Sequence, residues 1–74
     1  MTIEEALKIA QKEKKNIDYV VEYTNGFVFS NSDDINYDGG LGHTPVVVLK
    51  DGTTTTMMKF VNAGTGKEVR RKKI

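Results

Sequence analysis

The chain has 74 residues, a formal net charge of +1 and no cysteine. This length accommodates one domain, which buries only about 60–65% of the surface that its unfolded chain exposes. The lack of cysteine excludes disulfides, thiolate metal sites and cysteine nucleophiles, and it favours a reducing, cytoplasmic location. No apolar window reaches the roughly 18 residues of a membrane helix, and the acidic N-terminus is unlike a signal peptide, so no membrane partner is expected.

The charges are segregated along the chain. Residues 18–51 contain six acidic residues and a single lysine, whereas residues 67–74 contain five cations and one glutamate. An acidic middle is thus separated from a basic C-terminal segment, and this separation is more informative than the small net charge.

A helix is predicted over residues 3–15. Thr2 and Glu5 have the spacing of a capping box, in which each side chain bonds the backbone N–H of the other residue. Apolar residues follow at helical spacing, and the cations before Asn16 suit the negative end of a helix. The apolar stripe is narrow and contains alanines, which indicates close packing against a sheet.

A hairpin is predicted over residues 17–30. Side chains alternate in period two from Ile17 to Thr24, as in a strand with one buried face. Asn25 and Gly26 then provide the left-handed residues of a type I′ turn, and an aromatic strand returns. Residues 31–44 are polar and glycine-rich without periodicity, which predicts a loop of a length that is often functional.

A second hairpin is predicted over residues 46–61. It enters through Pro45, turns at Asp51-Gly52 and continues as a β-branched and then apolar strand. Residues 62–66 are predicted as a further turn, and residues 67–74 as a basic terminal strand or tail.

Together these elements predict a single α+β domain. Its N-terminal amphipathic helix packs on a four- or five-stranded antiparallel sheet, in the order α-β-β-loop-β-β-(β). The predicted core consists of the residues on the inward faces of these elements: Ile3, Leu7, Ala10, Ile17, Tyr19, Val21, Phe27, Phe29, Val47, Leu49, Met58 and Phe60.

The loop over residues 31–44 contains the most specific motif. Asp34, Asn36 and Asp38, followed by Gly39, match the first half of a calcium-binding loop, where oxygen ligands alternate and glycine permits a sharp turn. The twelfth position is proline instead of a bidentate glutamate, and no helices are predicted on either side. An Asx-rich turn is therefore the preferred interpretation, and no cofactor is expected.

His43 is the only histidine of the chain. It could act as a general acid or base near neutral pH, but the sequence indicates no nucleophile beside it, and a lone imidazole does not form a zinc site. A loop histidine bonded to nearby backbone is the simpler interpretation. The glycine-rich stretches 39–42 and 64–66 lack the strand-to-helix context of a phosphate-binding loop, so both are interpreted as turns.

The basic run Arg70, Arg71, Lys72 and Lys73 permits three interpretations. It could contact nucleic-acid phosphates, pair with the acidic middle of the chain, or solvate an exposed edge strand. Aromatic residues on the first hairpin are a feature of sheet-based RNA binders, but the glycine-and-aromatic signature of that module is absent and the neighbouring residues are acidic. A small nucleic-acid-binding domain is therefore the alternative hypothesis.

The order of the elements, and one strand in particular, resembles a known family. Pro45 leads the apolar strand Val46-Val47-Val48-Leu49, and a Lys50-Asp51-Gly52 turn follows it. Together with the N-terminal helix, the aromatic hairpin around residues 23–29 and the glycine-rich loop, this strand resembles the small bacterial polymorphic-toxin immunity proteins of family 35. The resemblance spans most of the chain. It implies a non-catalytic protein that binds and neutralises a partner protein in the bacterial cytoplasm.

The sequence thus favours a non-enzymatic protein-binding domain, immunity-like or of phage or mobile-element origin, that is a monomer or weak dimer. The expected contact surface is the acidic loop, because charge concentrated in a loop steers a basic partner. Its residues are Asp33, Asp34 and Asp38, with His43 beside them.

Overall fold

The structure is a computed structural model that describes residues 1–31 and 45–74. Its strands form one antiparallel sheet in the order β4-β3-β2-β1-β5. The predicted α+β fold, an N-terminal helix with an antiparallel sheet, is confirmed. The elements in chain order are α1 (Ile3–Glu13), β1 (Tyr19–Tyr23), β2 (Gly26–Ser30), β3 (Val46–Leu49), β4 (Thr54–Thr55), α2 (Met57–Ala63) and β5 (Glu68–Lys73).

Helix α1 begins at the predicted capping box. Thr2 Oγ1 accepts a hydrogen bond from the Glu5 N–H at 3.2 Å, and Glu5 Oε1 accepts one from the Thr2 N–H at 2.9 Å. The bond from the Thr2 N–H holds the pKa of the Glu5 carboxyl below its usual value. The helix ends at Glu13, earlier than the predicted residue 15, because Lys14 already has an extended backbone.

The turn between β1 and β2 differs from the predicted type I′ turn. Tyr23 pairs with Gly26, so the two turn residues are Thr24 and Asn25. In the described part of the chain, only Gly52, Gly64 and Gly66 have a positive φ. The prediction that Asn25 and Gly26 both adopt the left-handed conformation is therefore wrong. The turn is instead fixed from outside, because the Asn25 side chain donates to the Gly64 carbonyl at 2.9 Å.

Gly26 is required for packing instead of for the turn. A Cβ at this position would lie 3.0 Å from the Val48 carbonyl oxygen and 3.1 Å from Cε1 of Phe60. The absence of a side chain therefore lets the Phe60 ring contact the start of β2.

The turn between β3 and β4 agrees with the prediction at Asp51-Gly52. Gly52 has a φ of +92°, and the Leu49 N–H donates to the Thr53 carbonyl at 2.7 Å across the turn. The hydroxyl and N–H of Thr53 both donate to Asp51 Oδ1, which holds the pKa of the Asp51 carboxyl below its usual value.

The strand predicted up to Val61 is wrong beyond Thr55, where helix α2 follows. Thr56 caps this helix by accepting a hydrogen bond from the Lys59 N–H at 3.2 Å, and Gly64 ends it with a φ of +102°. The predicted turn at 62–66 is correspondingly shorter, since its first two residues belong to α2. The threonines and apolar residues favour a strand by propensity, but the Thr cap and terminal Gly favour a short helix.

The two helices lie on opposite faces of the sheet. Neighbouring residues of β3 belong to different hydrophobic clusters, since Val48 packs with α1 and Val47 packs with Phe60 of α2. Successive strand residues point to opposite faces, so β2 and β3 are covered on both sides. We refer below to the α1 face and the α2 face of the sheet.

The predicted core was therefore right in part. Ala10, Phe27, Phe29, Val47 and Phe60 are buried as predicted. The α1 face of β1 is buried at Val20, which lies on the face opposite to the predicted core residues Tyr19 and Val21. The remaining buried residues that were not predicted are Ala6, Val28 and Val48. Of the predicted core residues, Ile3, Leu7, Ile17, Tyr19, Val21 and Leu49 are half-buried and Met58 is exposed.

We expect Phe60→Ala to lower the free energy of unfolding by about 3–5 kcal/mol, because its ring is only 2% exposed. Met58→Ala is the matched control, since Met58 is 75% exposed and its truncation should change stability by less than about 0.5 kcal/mol. Urea denaturation monitored by circular dichroism measures both. A strand over these residues would place both side chains on one face, so equal losses would contradict α2.

Gly26→Ala should lower the free energy of unfolding by about 1–3 kcal/mol, because the added methyl group overlaps the Phe60 ring and the Val48 carbonyl. Combining it with Phe60→Leu should recover part of the loss, since the smaller side chain removes one of the two overlaps. Denaturation of the two single variants and the double variant gives the coupling free energy. Strictly additive losses would show that Gly26 and Phe60 do not interact.

Candidate functional site

Strand β5 forms one edge of the sheet, and all six of its residues are exposed. It pairs with β1 in an antiparallel register that sets Tyr19 opposite Lys73 and Glu22 opposite Arg70. The basic segment predicted as a strand or tail is therefore a strand that pairs within the chain.

Backbone hydrogen bonds hold β5 at both ends. Near its start, the Thr24 N–H donates to the Lys67 carbonyl at 3.0 Å, and the Lys67 N–H donates to Thr24 Oγ1 at 3.2 Å. At its end, the Ile74 N–H donates to the Asp18 carbonyl at 2.7 Å. The register shifts between Glu22 and Tyr23, which pair with Arg70 and Glu68, so Val69 is the extra residue of a bulge in β5.

The outer side of β5 presents unpaired backbone groups. Hydrogen-bonded and non-bonded pairs alternate along an antiparallel ladder, and the Ile74–Asp18 bond fixes the phase of this alternation. The N–H and C=O groups of Arg70 and Lys72 therefore point to β1. Those of Arg71 and Lys73 point away from the sheet, where no described strand pairs with them.

The four cations of β5 are divided between the two faces of the sheet. Arg70 and Lys72 project on the α1 face, whereas Arg71 and Lys73 project on the α2 face. The basic run is therefore not one continuous patch: two cations lie on each side of the same exposed edge.

Glu22 connects β5 to the α1 face of the sheet. Its side chain is only 15% exposed, and its carboxylate lies 3.0 Å from Lys50 Nζ and 3.2 Å from Arg70 Nε. Lys50 Nζ also lies 4.2 Å from the centroid of the Phe27 ring, at a distance suited to a cation–π interaction. Glu22 thus joins the second hairpin, the central strand β1 and the edge strand β5.

Glu68 neutralises Arg71 within β5. Two guanidinium nitrogens of Arg71, Nε and Nη2, donate to the Glu68 carboxylate. The hydrogen bond from Arg71 lowers the pKa of Glu68, and the same contact raises the pKa of Arg71. This exposed pair orders the start of β5 and contributes little to stability.

Lys72 and Lys73 have no carboxylate within ion-pairing distance among residues 1–31 and 45–74. Arg70 and Arg71, in contrast, are each paired. In the ladder, Lys73 pairs with the half-buried Tyr19 and shares its α2 face, and Lys72 pairs with the buried Val20 and shares its α1 face. The two lysines are the cations of this edge that remain for a ligand.

The opposite edge of the sheet offers less backbone for pairing. Strand β4 has two residues, and a groove of about 760 Å³ lies beside it between the end of α1 and the start of α2. A very short edge strand is one of the ways in which proteins limit pairing with other chains. The candidate site is therefore the β5 edge.

The site residues predicted in the loop, Asp33, Asp34, Asp38 and His43, lie outside the described residues, as does Asn36 of the calcium-like motif. The structure therefore does not test these predictions. Within the described ranges, no group of three or more His, Cys, Asp or Glu residues is arranged to hold a metal ion. No described helix is long and apolar enough to span a membrane.

No protein-family model, curated protein or solved structure matches this chain. The resemblance to the immunity proteins of family 35 therefore stays a prediction from the residues that carry it.

Sequence reasoning identified the cations of β5 but missed Glu22. A partly desolvated carboxylate on an inner strand requires partners, so the position of Glu22 within a predicted strand was the signal that the sequence offered. Its partners could not be chosen from the sequence, because Lys50 and Arg70 lie 28 and 48 positions away along the chain and meet Glu22 only in the folded sheet.

Glu22→Gln should lower the free energy of unfolding by about 1–2 kcal/mol, because it removes a charge-assisted acceptor shared by Lys50 and Arg70. Glu68→Gln is the matched control: this exposed pair should contribute less than about 0.5 kcal/mol. Guanidinium screens charges, so urea denaturation at low and high salt is the suitable measurement. Equal losses in the two variants would contradict the structural role of Glu22.

Proposed function

We propose that this chain is a non-enzymatic protein-binding domain that uses the β5 edge as its contact surface. The observation that carries the proposal is an edge strand of six exposed residues whose outer backbone groups are unpaired in the described part of the chain. Such an edge is a template for pairing with a strand of another protein.

In the described part of the chain, the carboxyls with a shifted pKa have structural roles. The carboxyls of Glu5, Asp51 and Glu68 all have a lowered pKa, and in each the main cause is a local hydrogen bond. These bonds belong to a helix cap, a tight turn and a strand ion pair. Catalytic groups more often combine desolvation with a charged partner in a cleft.

The immunity-like role, the cytoplasmic location and the monomeric or weakly dimeric state belong to the same proposal. The absence of cysteine from the sequence supports a reducing compartment. The like charges of Arg70, Arg71, Lys72 and Lys73 oppose pairing of two β5 strands, which supports a monomer.

Nucleic-acid binding through Arg70, Arg71, Lys72 and Lys73 is the second candidate. Its support is the position of Lys73 beside the half-buried Tyr19, since cations next to aromatic rings suit single-stranded nucleic acids. Two of the four cations, however, already pair with Glu22 and Glu68. This leaves few charges for phosphates, so protein binding is the better supported function.

Affinity capture tests the proposed function. The chain is immobilised and exposed to a nuclease-treated extract of the cells that encode it, beside the variant Lys72→Glu/Lys73→Glu. We expect a protein that the native chain retains and the variant does not, and that binds again when both components are purified. Folding of the variant is checked by circular dichroism, because the two exposed lysines should tolerate the change.

Two results would contradict the proposal. One is that no protein is retained by the native chain and reproduced with purified components. The other is that proteins are retained only from an extract without nuclease treatment, while oligonucleotide titration gives salt-sensitive amide shifts at residues 67–74. This result would favour the second candidate.

A further inference from the structure

We infer that the partner presents an extended acidic segment, which adds to the sheet as a sixth strand beside β5 and places adjacent carboxylates against Lys72 and Lys73. This inference rests on the proposed protein-binding function and defines the chemical class of the partner.

The first support is the direction of the free backbone groups. The N–H and C=O groups of Arg71 and Lys73 point away from β1, at the spacing with which a neighbouring strand forms its ladder. Strand β5 contains no proline, and none of its side chains is buried. An incoming segment of about four to six extended residues would therefore pair along it, as in β-strand addition.

The second support is the arrangement of the two lysines that have no carboxylate partner among the described residues. Lys72 and Lys73 are adjacent in sequence, so one projects on the α1 face and the other on the α2 face. Residues opposite each other in neighbouring strands project on the same face. A partner strand meets both lysines only if it contains two adjacent acidic residues, one for each face.

The third support is the exclusion of a second copy of β5 as the occupant. Pairing two copies would bring eight cations together, and only Arg70 and Arg71 of each copy have a carboxylate partner, Glu22 and Glu68, among the described residues. Like charges directly opposite each other are destabilising. The same charges favour an acidic strand. Charge complementarity thus selects an acidic segment over self-association.

Synthetic peptides provide the direct test. The probe is the blocked peptide Thr-Val-Glu-Glu-Val-Thr, in which alternating β-branched residues favour an extended chain. The first control is the same peptide with N-methyl groups on alternate residues that face β5, which keeps both charges and removes the backbone donors. The second control replaces the glutamates by lysines.

Amide shifts and hydrogen exchange of the labelled chain are then measured with each peptide. We expect the acidic probe to shift the amides of Arg71 and Lys73 and to slow their exchange. N-methylation should weaken binding about tenfold or more, because ladder hydrogen bonds are lost. Lys72→Glu/Lys73→Glu should lose the acidic probe and bind the lysine peptide instead. Lys72→Gln/Lys73→Gln tests the loss of charge with less disturbance of β5.

Three outcomes would overturn the inference. Equal binding of the N-methylated peptide would mean that charge alone is recognised, without strand addition. Stronger binding of an oligothymidylate, with shifts at the same residues, would mean that the edge recognises phosphates. A captured partner that shifts another surface and leaves Arg71 and Lys73 unchanged would overturn the acidic-strand inference while leaving protein binding itself intact.

Discussion

Strand β5 stays in the sheet without burying any of its six side chains, so its position depends on the backbone ladder with β1. The ladder is closed at one end by Thr24 and Lys67, and at the other by Asp18 and Ile74. Hydrophobic burial, the usual source of stability, contributes little to this strand. The candidate binding surface is therefore only as ordered as β1, and local opening of the sheet should begin at β5.

Strand β1 is held in place because its neighbours are fixed from both faces. Strands β2 and β3 lie between α1 and α2, and their alternating residues belong to separate hydrophobic clusters. Gly26 is the point where the α2 face comes closest, since the Phe60 ring fills the space that a side chain would occupy. On the α1 face, Glu22 links β5 to these strands. Its carboxylate pairs with Arg70 of β5 and with Lys50, whose ammonium group lies over the Phe27 ring.

Features that act over a few residues were predictable from the sequence, and features that depend on long-range packing were not. The Thr2 cap and the Gly52 turn follow from local chemistry, and both are confirmed. The basic segment 67–74 was predicted as a strand or a tail, and only its pairing with β1 decides for the strand. Helix α2 was missed because its seven residues are too few to establish a helical period against strong strand propensity, although Thr56 and Gly64 marked its ends. The cations of β5 were identified by residue type, but their division between two faces required the register with β1.

The four cations of β5 fall into two pairs: the arginines contribute to the fold, and the lysines are proposed to contribute to recognition. Arg70 and Arg71 have carboxylate partners within the chain. Replacing Arg71 leaves Glu68 without this counter-charge, whereas replacing Arg70 leaves Glu22 with Lys50 alone. Lys72 and Lys73 have no such partner among the described residues, and β5 stays charged enough through them to resist pairing with its own copies. In the proposed function, the charge that opposes self-association also sets the sign of the partner's charge. An edge strand built in this way can change its specificity at two exposed positions without altering the contacts that fold the domain.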